Sequence, residues 1–341
     1  MSAFELDTDA LSAYLQDHVP GFQGPVSAEK FPGGQSNPTY RLDAASGRYV
    51  LRRKPPGKLL KSAHAVDREF KVMSALADSA VPVPTMRVLC EDDSVIGSMF
   101  YVMDFLDGDI HWNAALPDHQ PAQRTAMYDR MNQLLADLHN VDVEAVGLSD
   151  YGKPGNYFAR QLNRWTQQYR ASETDTIPAM DELIEWLNNN IPEDDGLRTL
   201  AHGDYRIDNM LFEKDRPRVA AVLDWELSTT GHPYADVAAV IMQWSMPSGP
   251  NSRGLAGIDR KAEGLMTDEE FVESYCKRAG IPGIDKFGFY LAFTFFRMAG
   301  IIQGVYKRAL DGNASNPERA KQMGASVPRF AEAGLNAAKT V

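Results

Sequence analysis

Hydrophobic positions recur at two different periods along this chain, and the change of period divides it. Residues 26–31, 39–42 and 48–53 are short, strand-like runs, the first two separated by a segment rich in glycine and proline. Residues 65–77 place apolar side chains at Val66, Phe70, Met73, Ala75, Leu76 and Ala77, which is helical spacing. Residues 99–104 form another apolar run, closed by Asp107-Gly108-Asp109, where polarity and glycine permit a bend. Beyond it the period turns helical, over residues 120–140, 157–169, 180–190, 236–246, 268–278 and 287–310. A sheet-rich part followed by a helical part predicts an α+β fold.

Three short apolar stretches, 199–201, 210–212 and 218–223, interrupt the helical pattern, and the polar residues at their ends carry candidate chemistry. Between the first two lies His202-Gly203-Asp204-Tyr205-Arg206-Ile207-Asp208-Asn209, and after the third comes Asp224-Trp225-Glu226. Phosphoryl transfer needs an acceptor hydroxyl held in line with a phosphate and cover for the oxygen charge, rather than a covalent nucleophile. Asp204 suits the hydroxyl proton, and Arg206 offers a cationic fork to the transferring group. Asn209 and Asp224, on neighbouring strand ends, supply the oxygen ligands that magnesium prefers. His202 is expected to brace the loop, and Asp236, at the start of an apolar helix, to cap or tether.

The chain resembles the aminoglycoside phosphotransferase-like small-molecule kinases, which share a bilobal fold with protein kinases. The resemblance rests on His-Gly-Asp, four residues, Asn, and then Asp-Trp. It implies a small antiparallel-sheet lobe over residues 1–105 that binds nucleotide, and a larger helical lobe over 106–341 that carries catalysis and the acceptor. Gly33, Gly34, Ser36 and Asn37 then fall in the loop expected to approach ATP phosphates. Arg52 stands where kinases carry a strand lysine, facing away from Arg53 because strand side chains alternate. Glu69 is its expected helix partner. Met103 and Phe105 lie in the segment whose backbone holds adenine in family members. The segment from Arg52 to Phe70, with residues 31–39 and 202–236, is similar to the kinase-like domain attached to some acyl-CoA dehydrogenases.

Charge and composition sharpen this picture in a few places. The formal charge is -11, yet residues 48–71 hold eight Lys or Arg against Asp67 and Glu69, so that stretch should attract anions. The acidic balance and the lack of basic patches interleaved with aromatics argue against nucleic acid. Residues 287–306 contain one charge, Arg297, in mid-segment, and read as a buried helix rather than a membrane span. Its aromatic face, Tyr290, Phe293 and Phe296 with Arg297, is expected to wall the acceptor pocket. Two cysteines, Cys90 and Cys276, sit in apolar contexts and suggest free thiols in a cytoplasmic protein.

Asp224 and Asp236 are twelve residues apart with no Ala-Pro-Glu between them, which leaves little room for a peptide platform. The expected partner is therefore a small molecule with a hydroxyl group, and the expected cofactors are ATP and magnesium. The dehydrogenase-linked resemblance points to a hydroxyacyl compound or its CoA ester. An aminoglycoside or amino alcohol is the alternative acceptor. Two other functions compete: a nucleotide-binding pseudokinase, since arginine replaces lysine at position 52, and a metal-dependent phosphoester hydrolase built on His202, Asp204, Asp224, His232 and Asp236.

Overall fold

The computed structural model describes residues 6–32, 37–55, 65–250, 252–313 and 316–340. In chain order its elements are α1 (Thr8–His18), β1 (Ser27–Lys30), β2 (Thr39–Ala44), β3 (Gly47–Arg53), α2 (Val66–Ala75), β4 (Met86–Cys90) and β5 (Phe100–Asp104), then α3 (Pro121–His139), α4 (Tyr157–Ser172) and α5 (Pro178–Asn189). The short strands β6 (Thr199–Ala201), β7 (Met210–Phe212), β8 (Val219–Val222) and β9 (Thr229–Gly231) follow, and α6 (Tyr234–Trp244), α7 (Asp268–Ala279), α8 (Phe287–Leu310), α9 (Pro317–Gly324) and α10 (Val327–Ala338) complete the chain.

These elements form two compact units that interleave along the sequence. The first comprises residues 1–111, 144–148 and 208–228; the second comprises 112–143, 149–207 and 229–341. The chain passes from the second to the first between Ile207 and Asp208, inside the polar motif. Asp204 and Arg206 thus belong to one unit, and Asn209 and Asp224 to the other.

The first unit is built on a five-stranded sheet of order β1-β2-β3-β5-β4, with every neighbouring pair antiparallel. Leu42, Leu51, Phe100 and Val102 bury one sheet face in a cluster with Leu11, Leu15 and Phe22 from α1 and the residues after it. Helix α1 was not apparent in the sequence pattern, because only Leu11 and Leu15 of its eleven residues are buried. A separate hairpin, β7 with β8, places Met210 opposite Val222.

Among its described residues the second unit is mainly helical, with β6 paired to β9 and an isolated bridge between Pro247 and Ala256. Its core runs along α8, where Phe289, Phe293 and Phe296 meet Phe158 and Leu162 of α4, Leu183 of α5, Ala238 and Met242 of α6, and Ala331 of α10. Helix α8 is long and apolar enough to cross a membrane, and here most of it is covered by these neighbours. Helix α10 escapes the hydrophobic pattern because half of its six buried residues are alanine and another is glycine, which carry little signal. At Gly334 a Cβ would sit 2.6 Å from Leu183 Cδ2 and 3.4 Å from the Ala292 carbonyl, so the Leu183 side chain would have to shift to admit one. The expectation that Phe293 and Phe296 line a pocket is corrected, since they are 1% and 0% exposed and belong to the core.

Candidate active site

Strand alternation gives Arg52 and Arg53 opposite surroundings. Arg53 is buried and donates from Nε to Ser98 Oγ at 2.8 Å. Arg52 turns to the other face and meets three carboxylates. Its Nη2 lies 3.0 Å from Asp224 Oδ1 and 3.4 Å from Glu226 Oε2, and its Nε lies 3.2 Å from Glu69 Oε2. The Nε contact is an ion pair without hydrogen-bond alignment. Burial works against a charged guanidinium, but Glu69, Tyr101, Asp224 and Glu226 together hold the Arg52 pKa above its ordinary value.

Glu69 reaches this cluster from the first turn of α2 and is 1% exposed. Its Oε1 accepts from Asn37 Nδ2 at 3.0 Å and its Oε2 from Tyr101 Oη at 3.1 Å. Burial pushes its carboxyl up to about 7; Arg52 pulls downward, whereas Asp224 and Glu226 push upward. The Asn37 side chain is fully buried, so its amide is committed to Glu69 inside the unit. Gly33, Gly34 and Ser36 lie outside the described residues.

Asn209 and Asp224 stand at adjoining ends of the β7–β8 hairpin, where the Leu223 N–H donates to the Asn209 carbonyl at 2.8 Å. Asp224 has φ 64° and ψ 61°, a left-handed conformation that is unusual outside glycine and tolerated best by Asn and Asp. The turn at Asp224 leads directly into a 3-10 turn, Trp225–Leu227, which returns Glu226 to the guanidinium already holding Asp224. Amide and carboxylate oxygens of this kind suit a hard cation that keeps positions for phosphate oxygens. Among the described residues, no group of three or more His, Cys, Asp or Glu could hold a metal alone. Met103 pairs with Val50 in the sheet, and the Phe105 N–H donates to the Arg48 carbonyl at 3.2 Å while the Arg48 guanidinium lies 4.5 Å from the Phe105 ring centroid.

In the second unit the His-Gly-Asp loop hangs from α6. The Asp236 carboxylate accepts the His202 N–H at 2.6 Å and the Gly203 N–H at 2.9 Å, and its Oδ2 lies 3.4 Å from His139 Nε2. Burial alone would raise this carboxyl; His139, His202 and the Gly203 N–H outweigh it and hold the pKa below the ordinary value. His202 is fully buried, and its Nδ1 accepts from the Asp204 N–H at 3.3 Å. Bracing is therefore what both His202 and Asp236 do here. Arg206 Nη2 lies 3.2 Å from Asp204 Oδ2, and Arg297 of α8 donates from Nη2 to the Gly203 carbonyl at 3.2 Å. His232, a ligand in the hydrolase alternative, faces Asp195 at 3.3 Å.

Sequence reasoning gave no role to Glu226 or Tyr101. Glu226 was visible two residues after Asp224, but only the left-handed turn shows that both share Arg52. Tyr101 alternates away from Phe100 and Val102 on β5, a pattern that marks its face without naming its partner.

The fold is that of the protein-kinase-like phosphotransferases that act on hydroxyl groups. More particularly, the chain belongs to the phosphotransferase enzyme family, whose model matches residues 27–280. It is 48% identical over 326 residues to mouse acyl-CoA dehydrogenase family member 10, covering 95% of this chain and 30% of that protein. The chain spans less than half the length of the curated relatives it matches. A crystal structure from Ralstonia eutropha, of a protein assigned as an aminoglycoside phosphotransferase, is 49% identical with a TM-score of 0.91, covering 98% of this chain and 99% of that one. An aminoglycoside phosphotransferase in ternary complex with ADP and hygromycin B, 16% identical, shares the fold with a TM-score of 0.60 over 93% of this chain and 97% of that one.

Proposed function

We propose that this chain transfers the γ-phosphoryl group of ATP, with magnesium, to the hydroxyl of a hydroxyacyl compound, as the free acid or as its CoA ester. The observation that carries the nucleotide half is Arg52 fixed between Glu69 and Asp224, a strand cation tied to both a helix carboxylate and a hairpin carboxylate. The acyl half is supported by the resemblance to acyl-CoA dehydrogenase family member 10 over 95% of this chain.

ATP would supply the phosphoryl group, and magnesium would neutralise phosphate oxygens as they gain charge. Asn209 and Asp224 would hold the metal. Arg52 would meet the α and β phosphates, with Glu69 keeping its fork in place; Asn37 and Tyr101 in turn hold Glu69. The loop with Gly33, Gly34 and Ser36 would cover the phosphates, and backbone groups at Met103 and Phe105 would meet adenine. Asp204 would accept the hydroxyl proton, and its neighbour Arg206 would turn to the transferring group.

The test is ATP consumption screened across hydroxy acids, their CoA esters, amino alcohols and aminoglycosides, with product mass reporting the added phosphate. Asp204→Asn should lower turnover by about 10²–10⁴-fold and leave nucleotide binding within twofold. Unchanged turnover removes Asp204 from its role. Turnover confined to amino alcohols or aminoglycosides replaces the hydroxyacyl acceptor.

A further inference from the structure

Several arginines of the second unit have a carboxylate partner: Arg124 with Glu263, Arg170 with Glu173 and Asp181, Arg260 with Asp268, Arg278 with Asp129. Arg160 and Arg297 differ. Both are half-buried, and among the described residues neither has a carboxylate within ion-pair distance. The Nη1 of Arg160 donates to the Pro154 carbonyl at 2.8 Å and contacts the Gly155 carbonyl, whereas Arg297 meets the Gly203 carbonyl. Nearby acids are engaged elsewhere: Asp194 lies 4.0 Å from Arg198, and Asp195 faces His232.

A third arginine joins them. Arg164 follows Arg160 by four residues on α4, so the two share a helix face. Its guanidinium lies 5.6 Å from the Trp165 ring centroid, and that of Arg297 lies 5.6 Å from the same centroid. Tyr157, one turn before Arg160, has a hydroxyl that burial pushes toward the neutral form and that Arg297, Arg160 and Arg164 all pull the other way. Three guanidiniums from two helices thus gather around Tyr157 and Trp165, in a chain of net charge -11. Like charges gathered around the same rings repel one another. The arrangement is stabilised when an anion arrives. Arg297 also fixes where the anion would be, because it bonds the residue immediately before Asp204.

We propose that Arg164 and Arg297, flanking Trp165, with Arg160 behind them, bind an oxyanion carried by the acceptor. This deepens the phosphotransfer reading and rests on it for the identity of the acceptor. The oxyanion has two sources: the carboxylate of a free hydroxy acid, or the phosphates of its CoA ester. The cluster opposes a cationic acceptor.

Arg164 is exposed and outside the catalytic loop, so Arg164→Gln should fold, with Arg164→Lys as the conservative control. Calorimetric titration of wild-type protein with a hydroxy acid, its CoA ester and its neutral methyl ester should show binding of one or both anions. Arg164→Gln should weaken that binding at least tenfold, Arg164→Lys should recover most of it, and added salt should weaken it in wild type. In turnover assays the variant should raise KM for the anionic acceptor, keep kcat, and treat the methyl ester as wild type does. Tighter binding of the acid favours a carboxylate, and tighter binding of the CoA ester favours phosphate. Failure of every anion to bind, or equal effects on charged and neutral acceptors, overturns the inference. Anion binding that depends on Arg164 without phosphate transfer would spare it and sink the phosphotransfer reading instead.

Discussion

Glu69 in the first unit and Asp236 in the second are equally hidden from water, each 1% exposed, yet their carboxyl groups shift in opposite directions. Both begin with the same penalty, since burial disfavours a carboxylate. Asp236 overcomes it with two backbone N–H donors and His139. Glu69 receives Asn37, Tyr101 and part of one arginine, but that arginine also serves Asp224 and Glu226. Burial raises the Glu69 carboxyl to about 7, Arg52 opposes it, and the neighbouring acids Asp224 and Glu226 add to the rise. Charge state therefore follows the supply of donors more than depth. Asp236 is wired as a permanent anion that holds a loop, whereas Glu69 is poised to change charge.

The largest effect should come from breaking the tether. Asp236→Asn keeps one acceptor oxygen but turns an N–H donor toward backbone donors, leaving a buried N–H unsatisfied. The expected loss is about 3 kcal/mol of stability, read as a lower urea midpoint, together with reduced kcat because the loop carrying Asp204 is no longer fixed. If Asp236→Asn matches wild type in both readings, the loop is held by something other than this carboxylate.

The next effect is a pH dependence, and the two residues contribute on opposite sides. Because folding raises the Glu69 carboxyl from 4.5 to about 7, the folded protein binds more protons across that window. Its contribution to stability is complete below pH 4.5 and is lost as pH rises through 7. Asp236, lowered from 3.8, contributes fully above that value and loses its contribution as pH falls through the folded pKa. The shift of Glu69 corresponds to about 3 kcal/mol. Urea midpoints at pH 5 and pH 8 should therefore differ for wild type and differ much less for Glu69→Gln. An equal difference in the variant would assign the slope to other groups.

How much of this was legible in the sequence follows the same contrast. Local patterns marked seven helices, every strand among the described residues except β4 and β9, and the polar motif, because a period of two or of 3.6 and a fixed spacing are properties of neighbours in the chain. The opposite faces of Arg52 and Arg53 also follow from strand alternation, and the structure separates them accordingly. The tethering of His202 by Asp236 could be anticipated in kind but not in partner. What stayed hidden depends on distant segments or on a backbone turn: Tyr101 and Asn37 converging on Glu69, the left-handed Asp224 that brings in Glu226, and Phe293 and Phe296 facing the core. The aromatic face of α8 misled because helical spacing shows which residues lie together without showing what covers them. Helices α9 and α10 were missed because small or polar residues dominate their surfaces.

The smallest effect isolates the contribution of the neighbouring acids. Glu226 is partly exposed and touches Arg52 at the longest of its three carboxylate distances, 3.4 Å. Glu226→Gln removes one acid while Glu69 and Asp224 keep theirs. If crowding by acids helps to raise Glu69, the pH profile of stability should move toward acid by roughly half a unit, and its overall drop should shrink by about 0.7 kcal/mol. A profile that does not move would mean that burial alone raises Glu69, and the comparison with Asp236 would then reduce to the presence or absence of backbone donors. A profile that moves further would make Glu226 the stronger partner, and Arg52 a counter-ion whose Nη2 is shared between Asp224 and Glu226.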